Sequence, residues 1–166
     1  MRHETQPIQT IDPVSADAGV NTRTLAHMIA IIGGVVFLLI TVLGFVQPGF
    51  LGAHLSMTHN LIHLVSGATS LYFGLYGTIS GARLFCFVFA VVYGGLALAG
   101  FALGGAGEHS FADIHHGGDS LLLRVLPGNL ELGLHDHLIH VVIAAMYLAA
   151  GIWTSTKGAS TEPPRS

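Results

Sequence analysis

The amino-acid sequence predicts an all-α integral membrane protein, a four-helix bundle built from two helical hairpins repeated in parallel. Three observations point there. Of 166 residues, 51% are hydrophobic and only 9% carry a charged side chain, against about a quarter charged in ordinary soluble domains. Four apolar runs follow one another, each close to the ~20 residues that cross a ~30 Å hydrocarbon layer. Two related histidine-bearing motifs, HNLIH from His59 to His63 and DHLIH from Asp136 to His140, open the second and fourth runs.

Residues 1–24 read as a polar tail, mixing Glu4, Asp12 and Asp17 with Arg2 and Arg23. The first apolar run starts only at Leu25 and is longer than the 7–15 residues of a signal-peptide core, so it is expected to stay as a membrane helix over 25–45. Gln47-Pro48-Gly49 ends it. The second helix is expected over 60–79, where Ser66, Ser70, Gly74 and Thr78 recur every four residues and form a small-residue face for close packing in lipid. Ser80 to Arg83 is expected to turn the chain into a third helix over 84–103. A polar loop, 104–136, follows, and its middle, Ser120 to Leu126, is expected as a short interfacial helix stopped by Pro127-Gly128. The fourth helix is expected over 137–153. Tyr147 and Trp153 are its amphipathic aromatics, with Trp153 an interfacial anchor. Residues 154–166 form a second polar tail, and 25–153 the membrane domain.

Cationic residues give the orientation. In a four-span arrangement Arg2, Arg23, Arg83, Lys157 and Arg165 fall on one side and only Arg124 on the other. The positive-inside rule then makes both termini cytoplasmic and turns the 104–136 loop outward. Most of the 11 histidines gather at that outer face.

The halves align through GGVVFLLITVLGF (33–45) with FAVVYGGLALAGF (89–101), and through HNLIHLV (59–65) with DHLIHVV (136–142). The offset is 56 residues in the first block and 77 in the second, so the second half carries 77 − 56 = 21 extra loop residues. His63 and His140 become equivalent, as do His59 with Asp136 and Asn60 with His137. The helices so matched cross in the same sense, giving a repeat about an axis along the membrane normal. With these motifs the chain resembles a family of bacterial membrane proteins, catalogued as a domain of unknown function, that carries an HNLVH-type motif at its second helix and D-N-x-x-H at its fourth. His59 to His63 fit the first motif. Asp136, Leu138 and His140 fit the second, with His137 in place of Asn, and the 108–116 loop is longer than the pattern requires. The resemblance covers about residues 25–153. It implies a multi-pass fold in the bacterial inner membrane and no activity.

The expected role is that of a small structural or accessory membrane protein whose histidines join the second and fourth helices. The alternative is an outward-facing transition-metal site. His59 and His63 share one helical face, as do Asp136 and His140, and His137 stands three residues before His140. Imidazole and carboxylate ligands suit zinc or copper, so His59, His63, Asp136, His137 and His140 are the candidate ligands. A further alternative is a haem held by His63 and His140. The loop residues His109, Asp113, His115 and His116 allow weaker metal binding. A net charge of -3 gives no basic patch for nucleic acid; the lipid bilayer is the one partner expected. No phosphate loop or serine-hydrolase motif is present, and the helices lack the complete box set of membrane di-iron enzymes, so no catalytic residue is assigned. Cys86 is the single cysteine, which excludes an internal disulfide.

Overall fold

The computed structural model describes residues 23–108, 110 and 118–155. His109, Asp113, His115 and His116, and all but the innermost residues of both tails, lie outside them. The element order is α1 (Leu25–Val46), a 3-10 turn (Phe50–Gly52), α2 (Met57–Tyr76), α3 (Ile79–Leu103), β1 (Gly105–Gly107), β2 (Asp119–Leu126), β3 (Leu130–Leu132) and α4 (Leu134–Trp153). The chain is thus mostly helical, but not all-α. α1, α3 and α4 are long and apolar enough to cross a membrane. α2 has a similar length, but His59, Asn60 and His63 in its first two turns make it less apolar.

Helix starts are set by short polar side chains. The Ser56 hydroxyl accepts from the His59 N–H, so α2 begins at Met57, three residues earlier than the apolar run suggests. The Thr78 hydroxyl accepts from the Gly81 N–H and starts α3 at Ile79. The turn between α2 and α3 is therefore Gly77-Thr78, and Ser80 to Arg83 lie inside α3. Asp136 caps α4 by accepting from the Gly133 N–H.

The expected interfacial helix at Ser120–Leu126 is instead strand β2. It pairs antiparallel with β1 on one side and β3 on the other. A seven-residue helix has too few internal hydrogen bonds to stand alone. A tight turn at Leu126–Asn129, with Gly128 at φ 74°, lets β2 and β3 satisfy each other's backbone. Leu122 and Leu132 are buried in the process.

α1 packs mainly along α2, and α3 along α4. Gly34 and Gly67 sit where the α1 and α2 backbones meet, each facing the other's carbonyl at 3.0 Å from where a Cβ would stand. Phe37, Phe85, Tyr93 and Tyr147 fill the centre, floored by Ala26, Ala30, Ala82 and Cys86. Tyr147 is a core residue at 1% exposure, with its hydroxyl 2.6 Å from Ser70 Oγ. Trp153 is 73% exposed at the end of α4. Large apolar side chains such as Leu39, Val42, Val91, Leu98 and Val142 point away from the core, and their faces are compatible with lipid contact.

Candidate functional site

The site lies where the sheet-bearing end of the bundle meets its aromatic core. Its foundation is Ala53 to Ser56, a buried segment leading into α2. The His54 backbone N–H lies 3.3 Å from both Asp136 oxygens, and its Nδ1 donates to Asp136 Oδ2 at 3.1 Å. The His54 carbonyl in turn accepts from His59 Nδ1 at 2.8 Å. That bond places the proton of a neutral His59 ring on Nδ1 and leaves a lone pair on Nε2. A carboxylate, a backbone segment and an imidazole thus form one chain from α4 to α2.

His59, one turn before His63 on α2, has its ring centroid 4.4 Å from that of His63 and 6.2 Å from that of His140 on α4. Each inner histidine rests on an aromatic ring of the core: His63 on Phe37 at 5.4 Å, and His140 on Tyr93 at 5.2 Å. The Tyr93 hydroxyl donates to Ser66 Oγ at 2.9 Å. All three histidines are buried, and the Nδ1 atoms of His63 and His140 have no hydrogen-bond partner. A cavity of about 20 Å³ is lined by His63, His140 and Asp136 and otherwise by apolar side chains such as Phe50, Leu55 and Ile139, but not by His59. It has room for about one water or a bare ion.

The structure therefore divides the five residues singled out in the sequence. His59, His63 and His140 come together. Asp136 lines the same small cavity, but its carboxylate is engaged by His54 and Gly133. His137 points elsewhere: its Nε2 donates to the Leu121 carbonyl of β2 at 2.8 Å, and its ring sits against Phe101 where Gly100 leaves space. Sequence spacing did not single out His54, Phe37 or Tyr93. The signal for Phe37 and Tyr93 was present in the VVF and VVY triplets that align the halves. Among the described residues, no group of three or more His, Cys, Asp or Glu side chains surrounds a common point ready to hold a metal ion. His59, His63 and His140 would have to turn their rings to share one. Phe37 and His59 lie against His63, and Tyr93 and His59 against His140, so a porphyrin held by both histidines would have to displace these rings.

Above this cluster, an open cavity of about 410 Å³ is lined by His54, Asp119, Ser120 and the exposed His135, among others. Beside it Glu131, fully buried, accepts from the Ser110 N–H and hydroxyl and the Gly128 N–H, and pairs with Arg124 at 3.4 Å. Burial pushes its carboxyl pKa up, but these donors and the guanidinium outweigh burial and hold it below the usual glutamate value. Comparison of the chain with protein-family models, curated proteins and solved structures found no match in any of the three.

Proposed function

We propose that the chain is a four-span membrane protein that binds one transition-metal ion, zinc or copper, between His59, His63 and His140. The observation that carries this is the contact of three buried imidazoles, two of which have an Nδ1 atom with no partner. Leaving a buried polar atom unpaired costs about 1–3 kcal/mol, and a metal bond would offset that cost. Rings around one tetrahedral ion have centroids roughly 5 Å apart, given metal–nitrogen bonds of ~2.0–2.1 Å. The distances of 4.4 and 6.2 Å bracket that value. His54 and Asp136 would orient His59 as an outer-shell arm rather than ligate the ion. A bound ion would supply Lewis acidity or one-electron chemistry; the chain itself holds the three rings dry between α2 and α4.

The two-hairpin repeat supports the same location. The bounds of α2 and α4 differ by a constant 77 residues. Under offsets of 56 and 77, Phe37–His63 corresponds to Tyr93–His140, and Gly44 against Asn60 corresponds to Gly100 against His137. The metal would sit near the pseudo-axis, on the outward side if the cationic residues set the orientation.

The second reading is a structural or accessory membrane protein, with the cluster only joining helices. It is favoured by the absence of a ready three-ligand arrangement among the described residues. One experiment separates the two: elemental analysis and an absorption spectrum of the detergent-purified protein after exposure to zinc and to copper. One equivalent of metal is expected, lost in both His63→Ala and His140→Ala and kept in His137→Ala. A protein that stays metal-free overturns the metal assignment and leaves the structural one. A Soret band from the protein as purified would instead revive the haem alternative.

A further inference from the structure

The end of the bundle opposite the His59–His63–His140 cluster carries a second polar feature. Arg83, half-buried on α3, donates through Nε to the Gly151 carbonyl near the end of α4 at 2.9 Å. Its guanidinium carbon lies 5.4 Å from the centroid of Phe87, whose ring packs against Gly151. Ser80, Arg83, Leu84 and Phe87 line a surface cavity of about 380 Å³.

The repeat explains what is unusual about this arginine. At an offset of 56 its counterpart is His27, whose Nε2 donates to the Gly77 carbonyl at 2.9 Å while Nδ1 faces the Thr24 hydroxyl. His27 performs the same task, linking a helix start to a neighbouring helix end, and has no donor left over. A guanidinium has five N–H groups in a rigid fork, and the task at Gly151 uses one. The four acidic residues among those described, Glu108, Asp119, Glu131 and Asp136, all lie at the other end of the helices. The charge of Arg83 is therefore balanced by no described carboxylate, in a groove whose rim includes the exposed Leu84.

We propose that this groove binds an anionic phospholipid, with the headgroup phosphate on Arg83 and the Ser80 hydroxyl and an acyl chain over Leu84 and Phe87. A cation, a hydroxyl and an apolar wall at the end of a membrane helix match the polarity of such a lipid along its length. This site rests on the membrane-spanning assignment and not on the metal.

The test uses the full chain in detergent, titrated with phosphatidylglycerol, phosphatidylcholine or inorganic phosphate, and read by native mass spectrometry and thermal unfolding. A one-to-one phosphatidylglycerol adduct and a raised Tm are expected, with phosphatidylcholine at least about fivefold weaker. Inorganic phosphate is expected to do nothing at the same concentration. Arg83→Gln should weaken phosphatidylglycerol about fivefold or more, and Arg83→Lys should recover part of that loss. Ser80→Ala, at an exposed position, gives a milder weakening if Arg83→Gln fails to fold. Equal binding of both lipids, or phosphatidylglycerol binding unchanged in every variant, overturns the site. A Tm rise from inorganic phosphate alone overturns the lipid assignment in favour of a simple anion. Loss of metal leaves these outcomes unaffected.

Discussion

Buried histidines in this chain differ in what their nitrogens touch. His27, His54, His59 and His137 each donate to a named oxygen. Among the described residues His63 and His140 donate to no such oxygen, and that contrast, rather than histidine number, identifies the inner pair. Asp136 acts on the pair indirectly, through His54 and then His59. Asp136→Asn keeps the shape but removes the charge that holds His54, so zinc affinity should fall about 10–100-fold, the usual cost of losing an outer-shell partner. Competition against a chelator of known affinity measures it; unchanged affinity would show that the arm does not orient His59. Glu131 supplies a pH test at the same scale. Its carboxyl is held below the ordinary 4.5, so its contribution to stability is present above that value and is lost as pH falls through the folded value. Amide exchange at Ser110 and Gly128 should therefore accelerate in acid, beyond its intrinsic pH dependence. Glu131→Gln should remove most of that acid sensitivity. An identical acid response in the variant would place it in another group.

At the scale of elements, the close approach of α1 and α2 at Gly34 is an exacting contact. A Cβ on Gly34 would come within 3.0 Å of the backbone of α2 at Leu71 and Gly67. Gly34→Ala should therefore push α1 from α2 and cost about 1–3 kcal/mol. Gly95→Ala on α3, with nothing within 4 Å, should change stability by no more than about 1 kcal/mol. Unfolding of both variants in detergent compares the two. Similar losses would mean that helix propensity, not contact, sets the cost. The sequence made α1 and the apolar course of the other helices legible, because a run of about twenty apolar residues has few alternatives. It also put HNLIH and DHLIH at the starts of two helices, α2 and α4. The strands were hidden because DSLLLRVL has no clear period of two, and their stability comes from pairing with distant backbone. His137 was misplaced for a related reason. Three residues along a helix is a rotation of about 300°, which puts His137 beside His140 on the surface of α4. Only the position of α3 and the sheet decides that one ring enters the core while the other turns to Leu121.

For the whole molecule, the placement of α2 matters most, since it is less apolar than the other three helices. Its contacts with α1 run antiparallel along nearly all of that helix: Gly74 faces His27 and Ile31, Gly67 faces Gly34, and Asn60 faces Gly44. From His27 to Gly44 is 17 residues, or roughly 25 Å at ~1.5 Å each. If α1 crosses a bilayer, as its length and apolarity allow, a partner held against it over that distance shares its depth. The polar residues of α2 do not oppose this, because His59, Asn60, His63 and Ser70 are buried inside the bundle, where polar groups are tolerated at membrane depth. The proposed four-span arrangement would put the α2–α3 turn with Arg83 on one side of the membrane and the sheet with Arg124 on the other. Alkaline phosphatase fused after Arg83 should accordingly be inactive, and fused within the 104–136 loop it should be active, with green fluorescent protein giving the reverse. If both fusions report the same side, α3 does not cross. Active phosphatase after Arg83 together with an inactive loop fusion would invert the orientation. The histidine cluster would then face the cytoplasm, and its metal would come from the reducing side of the membrane.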